Sequence, residues 1–286
     1  MEILIGIAVL GGLGLGFGLI LSAASRVFHV ETDPRLDQLI EATPGANCGG
    51  CGYAGCSAYA EAVLRGEAPV GRCTAGGDET AGKMAAVMGV EAQKVERQIA
   101  MVRCSGYKQF DENGGQLRGV KSKGIYEGLS DCVAASKVAG NGPVACKFGC
   151  LGFGSCVEAC QYGALSVVDG VAKVDPEKCT GCLACVSKCP RHLIVPIGYG
   201  TDVTIACAST AKGPILTRAC TEGCIGCGKC VKVCPEQAIR LEGFLATIDY
   251  TKCISCGRCA QVCPKHLIVD HKIRNDRDPI PAPNKF

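Results

Sequence analysis

Two runs of four cysteines in the carboxyl-terminal part constrain the fold of this chain more than any other feature. Each run is spaced C-x2-C-x2-C-x3-C and is followed by a proline. Four thiolates at this spacing bind an iron-sulfur cluster, and small residues such as Gly226, Gly228 and Gly257 let backbone N–H groups approach the sulfurs. A zinc ribbon would instead show two C-x2-C pairs. The runs are Cys224, Cys227, Cys230, Cys234 and Cys253, Cys256, Cys259, Cys263.

The spacing is that of bacterial two-cluster ferredoxins, in which the fourth cysteine of each run ligates the other run's cluster. We therefore predict two 4Fe-4S clusters in this stretch. The predicted ligand sets are Cys224, Cys227, Cys230, Cys263 and Cys253, Cys256, Cys259, Cys234.

The same pattern occurs once before, 74 positions earlier, so the chain contains two ferredoxin-like units in tandem, predicted at 146–198 and 199–270. Phe153 of the first unit stands where the second has Cys227, which leaves one cluster a ligand short. Cys146 lies four residues before Cys150 and is predicted to supply that ligand; a three-iron cluster is the alternative. The predicted sets are Cys146, Cys150, Cys156, Cys189 and Cys160, Cys179, Cys182, Cys185.

A third kind of cysteine pattern precedes the two units. The Gly-rich sequence GANCGGCGYAGC carries three cysteines, and a fourth follows 17 positions after the third. Three thiols in a flexible loop plus one distant thiol predict one more 4Fe-4S cluster in a small domain at 27–98, with zinc as the alternative. The predicted ligands are Cys48, Cys51, Cys56 and Cys73.

The amino terminus carries an uninterrupted apolar run, Ile3 to Ala24, of 22 residues. A run of this length predicts a single transmembrane helix at 1–26. Arg26 and Arg35 follow the run and Glu2 precedes it, so the positive-inside rule predicts a single-pass protein of the cell (inner) membrane with its cysteine domains on the cytoplasmic side. The predicted fold class is thus α+β: a transmembrane helix, a small 4Fe-4S domain and two tandem ferredoxin-like units.

The stretches between the cysteine motifs allow coarser expectations. The apolar periodicity of residues 81–98 predicts a helix. Two strands are predicted, at residues 99–103 and 203–206, and they end at Cys104 and Cys207. Residues 99–145 are predicted to connect the small domain to the first unit, with an exposed loop at 109–128. The charged, Pro-rich tail at 271–286 is predicted to be flexible. His192 and His266 are predicted to be repeat-related packing residues, with tuning or ligation of iron as the alternative.

Together these features resemble the RnfB family, the iron-sulfur subunits of the Rnf complexes, which are membrane-bound ferredoxin:NAD oxidoreductases that translocate ions. The resemblance extends to about Asp270. It implies an electron wire whose first cluster is held by the amino-terminal cysteines, with soluble ferredoxin as donor. It also implies partner subunits that carry flavin or are integral to the membrane and move sodium ions or protons.

Several function classes are disfavoured by the residues themselves. No dinucleotide-binding GxGxxG fingerprint, P-loop or flavin motif is present, so no catalytic residue is predicted and the chain alone acts as a wire. The formal charge of +3 counts cysteines as neutral, and clusters would make the assembled protein acidic, which disfavours nucleic-acid binding. The alternatives are a tethered polyferredoxin that serves a hydrogenase or a redox-regulator reductase, and a structural metal-binding scaffold.

Five clusters use 20 of the 24 cysteines. The remaining four are either buried free thiols, which pack as small hydrophobes, or ligands of a sixth cluster. A disulfide is disfavoured because so many thiols at cluster spacing indicate a reducing compartment. The second unit is the predicted ferredoxin-docking site. Between residues 212 and 274 it has ten Lys or Arg but only five Asp or Glu, and ferredoxins are usually acidic. The four remaining cysteines are Cys104, Cys132, Cys207 and Cys220.

Overall fold

The computed structural model describes residues 2–27, 33–92, 94–110, 112 and 116–271, with the backbone alone at 2–10 and 25–27. The amino-terminal part is helical: α1 (Glu2–Val27), α2 (Pro34–Glu41), α3 (Cys56–Leu64) and α4 (Gly77–Met88). The first unit and the segment before it contain β1 (Gln98–Val102), β2 (Gln109–Phe110), β3 (Gln116–Arg118), α5 (Cys132–Ser136), α6 (Ser155–Glu158), β4 (Leu165–Val168), β5 (Val171–Val174), α7 (Ala184–Lys188) and β6 (Ile194–Gly198). The second unit contains β7 (Val203–Ile205), α8 (Gly213–Ala219), α9 (Lys229–Val233), β8 (Ile239–Glu242), β9 (Leu245–Ile248), α10 (Arg258–Gln261) and β10 (Ile268–Asp270). The predicted tail lies outside the described residues from 272 onward.

The apolar run at the amino terminus forms helix α1, and its described side chains, at 11–24, are mostly exposed. A bilayer crossing needs about 20 consecutive, predominantly apolar residues in one helix. Among the residues whose side chains are described, no helix combines the length and the apolar character that a membrane crossing requires. The prediction of a transmembrane helix, and with it of a single-pass topology, is therefore wrong.

Helices α2, α3 and α4 pack around one small core, in which Leu39, Tyr59 and Met84 are fully buried. The Tyr59 hydroxyl lies 2.9 Å from the carbonyl oxygens of both Pro69 and Val70, so it fastens the segment that leads to Cys73. Helix α4 begins before residue 81 and ends at Met88, because Gly89 adopts a left-handed conformation with φ of 66°. The prediction of a helix at 81–98 is therefore wrong at both ends.

The two units have the same architecture, as the repeat predicted. Each has a hairpin between its cysteine runs, β4–β5 in the first unit and β8–β9 in the second. Each is also completed by a preceding strand that pairs antiparallel with the strand after its last cysteine, β1 with β6 and β7 with β10. Strand β1 thus lies in the predicted connecting segment and pairs with the first unit. Within the predicted exposed loop at 109–128, β2 and β3 form a short antiparallel pair.

Candidate metal centres

The amino-terminal cysteines meet at one end of α3. Cys56 is its first residue, and the Cys56 N–H donates to Asn47 Oδ1 at 2.8 Å, which folds the Gly-rich loop back onto the helix. Burial raises the pKa of Cys73, and charge repulsion from Cys51, Cys48 and Cys56 adds to the shift. The four thiols that were predicted to act together are therefore neighbours.

In the second unit the structure brings the last cysteine of the second run, Cys263, close to cysteines of the first run. Burial raises the pKa of Cys230, and its neighbours Cys224, Cys227 and Cys263 raise it further. Burial likewise raises the pKa of Cys259 to about 11, with Cys253 as a neighbouring charge. The cysteines of the first set include the last cysteine of the second run, as in a two-cluster ferredoxin.

The loops of both units use left-handed backbone at equivalent places. Gly226 has φ of 68° and its Cβ, if present, would lie 2.9 Å from the Phe244 carbonyl oxygen. Only glycine combines this conformation with so close an approach. The Ala238 N–H donates to Cys234 Sγ at 3.3 Å, and the equivalent Ala164 N–H donates to Cys160 Sγ at 3.3 Å. Thiolates that accept backbone N–H bonds in this way suit cluster ligation.

Cys160 joins the second cysteine run of the first unit. Burial raises the pKa of Cys185 to about 12, and Cys182, Cys179 and Cys160 add to it by repulsion. The Cys179 sulfur also accepts the Ala100 N–H at 3.3 Å, so strand β1 contributes directly to this group. The sequence had assigned the same four residues to one cluster.

The remaining group of the first unit differs from the sequence prediction in one member. One cavity is lined by Cys132, Cys150, Cys156 and Cys189, together with Arg191. Burial raises the pKa of Cys156 to about 12, and the neighbouring thiols Cys150, Cys132 and Cys189 add to the shift. Cys132, the first residue of α5, thus stands where the sequence prediction had Cys146.

Cys146 lines a different cavity, together with Cys104, Cys207 and Cys220. All four thiols are buried. Burial raises the pKa of Cys104 to about 12 and that of Cys220 to about 11, and Cys146 and Cys207 are among the charged neighbours of Cys220. Three of the four cysteines that the sequence left without a role are therefore brought together with Cys146.

The groups also touch one another in succession. A Cβ on Gly50 would lie 2.5 Å from the Cys182 carbonyl oxygen, so the amino-terminal loop lies against the first unit. Within the first unit, Cys185 is close enough to Cys156 for its charge to raise the pKa of Cys156. Within the second unit, Cys230 raises the pKa of Cys259 in the same way.

The Cys150 N–H donates to Cys104 Sγ and the Cys224 N–H donates to Cys207 Sγ, so the cavity that holds Cys104 and Cys207 connects the two units. These contacts join the six groups in succession, with the amino-terminal group at one end.

Comparison with known proteins identifies the family. Family models match residues 44–75 (putative Fe-S cluster), 150–164 (4Fe-4S binding domain), and 178–239 and 223–267 (both 4Fe-4S dicluster domain). The B subunit of the Na(+)-translocating ferredoxin:NAD(+) oxidoreductase complex of Acetobacterium woodii is 40% identical over 88% of this chain and 73% of its own length. The B subunit of the ion-translocating oxidoreductase complex of Methanosarcina acetivorans is 40% identical over 86% of this chain and 90% of its own, and that of the proton-translocating ferredoxin:NAD(+) oxidoreductase complex of Clostridium ljungdahlii is 40% identical over 83% and 81%. This chain belongs to the RnfB family.

Membership in the RnfB family makes the chain an electron-transfer subunit of an ion-translocating oxidoreductase complex, with several 4Fe-4S clusters as cofactors. It also indicates association with a membrane through the complex. The first conclusion agrees with the cysteine patterns of the sequence.

Each of the five cysteine groups offers the four thiols that a 4Fe-4S cluster needs. Within the described part of the chain no three potential ligands lie close enough together to hold one ion. The buried Arg191 Nε has no hydrogen-bond partner, and its side chain lines the cavity of Cys132, Cys150 and Cys189, where an anionic cluster would supply an acceptor.

Proposed function

We propose that this RnfB protein takes electrons from reduced ferredoxin at its second unit and passes them along its row of cysteine groups to partner subunits at the amino-terminal domain. The observation that carries the proposal is the succession of neighbouring thiol groups between these two ends. The relatives named as components of ferredoxin:NAD(+) oxidoreductase complexes support ferredoxin as the donor.

Five 4Fe-4S clusters are proposed on the groups described above. Four of them keep the ligands that the spacing predicts, and the fifth takes Cys132 in place of Cys146 because Cys132 lines its cavity. The proposed sets are Cys48, Cys51, Cys56, Cys73; Cys160, Cys179, Cys182, Cys185; Cys132, Cys150, Cys156, Cys189; Cys224, Cys227, Cys230, Cys263; and Cys234, Cys253, Cys256, Cys259.

A bound 4Fe-4S cluster accepts and releases one electron with no bond broken and no proton moved. The chain's own residues bind the cluster, exclude water and set its potential. Burial of Cys150, Cys230 and Cys259 keeps the surroundings dry. N–H groups aimed at the sulfurs stabilise the added negative charge, and their number and geometry tune the potential.

The entry point is proposed at the exposed side of the second unit. Cys227 and Cys256 are the two exposed cysteines of the described chain. Lys229 and Lys232 on α9 are also exposed, and neither forms an ion pair within the described residues. Ferredoxins are usually acidic, so these charges would attract the donor to the exposed ligands.

The test is stopped-flow reduction of the reconstituted protein by a reduced acidic ferredoxin. A Lys229→Glu/Lys232→Glu variant should lower the second-order rate constant at low salt by about tenfold, and the difference should shrink as salt rises. Lys137→Glu, an exposed charge reversal beside α5, is the matched control and should leave the rate within about twofold. Equal effects of both variants would contradict docking at the second unit, and no reduction of wild-type protein would contradict ferredoxin as the donor.

A further inference from the structure

Four cysteines stand outside the five proposed clusters, and the structure gathers them in one cavity between the two units. We call this group the interunit site. Its thiols come from four separate segments and are each at most 8% exposed. They are Cys104, Cys146, Cys207 and Cys220.

The interunit site consists of two equivalent halves, one from each unit. Cys146 and Cys220 occupy the same position of the 74-residue repeat. Cys104 follows β1 and Cys207 follows β7, the strand that completes the sheet of each unit. Each unit therefore contributes an equivalent pair of thiols, and the two pairs face one another.

Backbone donors surround these sulfurs in the same repeated fashion. Cys104 Sγ accepts the Cys150 N–H at 3.4 Å, and Cys207 Sγ accepts the Cys224 N–H at 3.4 Å. The Ser209 N–H adds a second bond to Cys207 at 3.5 Å. Free thiols that merely fill a core need no such set of donors, whereas cluster thiolates regularly accept them.

Two glycines keep the wall beside these thiols free of side chains. A Cβ on Gly106 would lie 3.5 Å from Cys104 Sγ, and one on Gly149 would lie 3.3 Å from Cys146 Cβ. The fully buried Val120 and Leu216 close the cavity from water. An enclosed space lined by four thiols matches the needs of a four-iron cluster.

We propose that the interunit site binds a sixth 4Fe-4S cluster and carries electrons between the second unit and the first. The proposal rests on the proposed function, because it completes the same row. Cys207 accepts a hydrogen bond from the N–H of Cys224, a proposed ligand in the second unit. Cys104 accepts one from the N–H of Cys150, a proposed ligand in the first unit. Each electron that enters from reduced ferredoxin leaves towards the first unit, so nothing else is consumed.

The binding test counts iron, acid-labile sulfide and zinc in anaerobically reconstituted full-length protein. Wild type should hold about 24 irons, and Cys207→Ala/Cys220→Ala should hold about 20, with the remaining 4Fe-4S signals intact. Ala208→Ser, which changes the same cavity wall but no ligand, should keep the wild-type content. About 20 irons in wild type would overturn the proposal, and so would one zinc that disappears in the double variant.

The ligand set is tested on the background in which the site is already empty. Adding Cys146→Ala to the double variant should remove no further iron, because its cluster is gone. Adding Cys132→Ala should remove more, as iron loss or as a three-iron signal in electron paramagnetic resonance. The reverse result would move Cys132 into the interunit site and overturn the assignment of Cys146.

The electron path is tested in the double variant by stopped-flow reduction with ferredoxin. The second-unit clusters should still be reduced at the wild-type rate, while reduction of the first-unit and amino-terminal clusters should slow by at least about a hundredfold. Unchanged reduction of all clusters would place the site off the path. Failure of ferredoxin to reduce even the second unit, in wild type as well, would instead count against the proposed function.

Discussion

The backbone N–H of Cys150 donates a hydrogen bond to Cys104 Sγ at 3.4 Å. Cys150 belongs to the first unit's own cysteine group and Cys104 to the interunit site, so a single peptide group connects two neighbouring thiol groups. The second unit repeats this contact between Cys224 and Cys207. Such N–H donors lower the energy of a negatively charged sulfur, and hence a change at one group should be felt at the next.

Arg191 lies between these same two groups and should raise their reduction potentials. Its Nη1 donates to the Cys146 carbonyl at 2.8 Å, and its charge acts on Cys146, Cys150 and Cys104. Burial lowers the pKa of Arg191, but a guanidinium remains charged at neutral pH. Because reduction adds negative charge, Arg191→Gln should lower the potential of the adjoining clusters, on the order of tens of millivolts.

The measurement for Arg191 is a redox titration followed by electron paramagnetic resonance. Arg191→Lys keeps the charge and should shift the potential less than Arg191→Gln. Lys265 occupies the equivalent repeat position and donates to the Thr221 carbonyl at 2.9 Å. Lys265→Gln should therefore move a different set of signals; identical shifts from both variants would contradict a local effect.

The cluster-free fold should lose stability in alkaline solution. Burial raises the pKa of Cys156, Cys185 and Cys104 from the ordinary 9.0 to about 12. A thiol whose pKa is raised by folding favours the folded state fully below its unfolded pKa, and this contribution is lost as pH rises from 9 towards 12. The melting temperature of the apo protein should thus fall above about pH 9.

The loaded protein provides the contrast. Its ligands are thiolates already, so the same pH rise should leave its melting temperature nearly unchanged, and cluster insertion into apo protein at neutral pH should release protons. A pH indicator in weakly buffered solution measures the release. An alkaline fall of equal size in both forms would show that other groups cause it.

The sequence predicted those features that depend on local spacing. The four cysteines around Cys230 and the four of the amino-terminal set are neighbours, because their loops are short and their glycines take the left-handed turns that the motif needs. The missing ligand opposite Phe153 was also visible. The cysteine that takes its place, Cys132, could not be predicted from the spacing. Cys132 lies in a segment that has no counterpart in the second unit, and it reaches the site only through tertiary folding.

Asp131 should hold Cys132 in place. Its carboxylate accepts the Ala134 N–H at 2.7 Å and the Ser155 hydroxyl at 2.8 Å, and that hydroxyl accepts the Cys132 N–H at 2.7 Å. Asp131→Ala breaks both the helix cap and this relay, so iron should be lost to a chelator faster, by up to about four irons per chain. Asp131→Asn keeps acceptor oxygen and should lose iron more slowly.

In the cluster-free protein, whose melting temperature can be followed at a pH that would destroy a cluster, acid should reproduce part of that destabilisation. The Ala134 N–H and the Ser155 hydroxyl lower the pKa of Asp131 from its ordinary 3.8, so its stabilising effect is present above that pH and disappears as pH falls through the lowered pKa. Asp37→Ala, on the exposed side of α2, is the control and should leave iron release unchanged. Equal release from both alanine variants would contradict a specific role for Asp131.

Gly50→Ala should separate the amino-terminal domain from the first unit. The added Cβ would lie 2.5 Å from the Cys182 carbonyl oxygen and 3.0 Å from its carbon, a backbone clash that no side-chain rotation relieves. The nearby bond from Thr74 Oγ1 to the Gly181 carbonyl, 3.0 Å long, would be strained with it. Gly50 does not adopt the left-handed backbone conformation, so the effect of the substitution comes from the clash and not from a change in backbone preference.

In Gly50→Ala the amino-terminal cluster should keep its iron but accept electrons more slowly, which freeze-quench electron paramagnetic resonance after ferredoxin addition would measure. Gly82→Ala, in open space on α4, should leave transfer unchanged and stabilise its helix by up to about 1 kcal/mol. Undiminished transfer in Gly50→Ala would mean that electrons leave the first unit by a route that does not pass this contact.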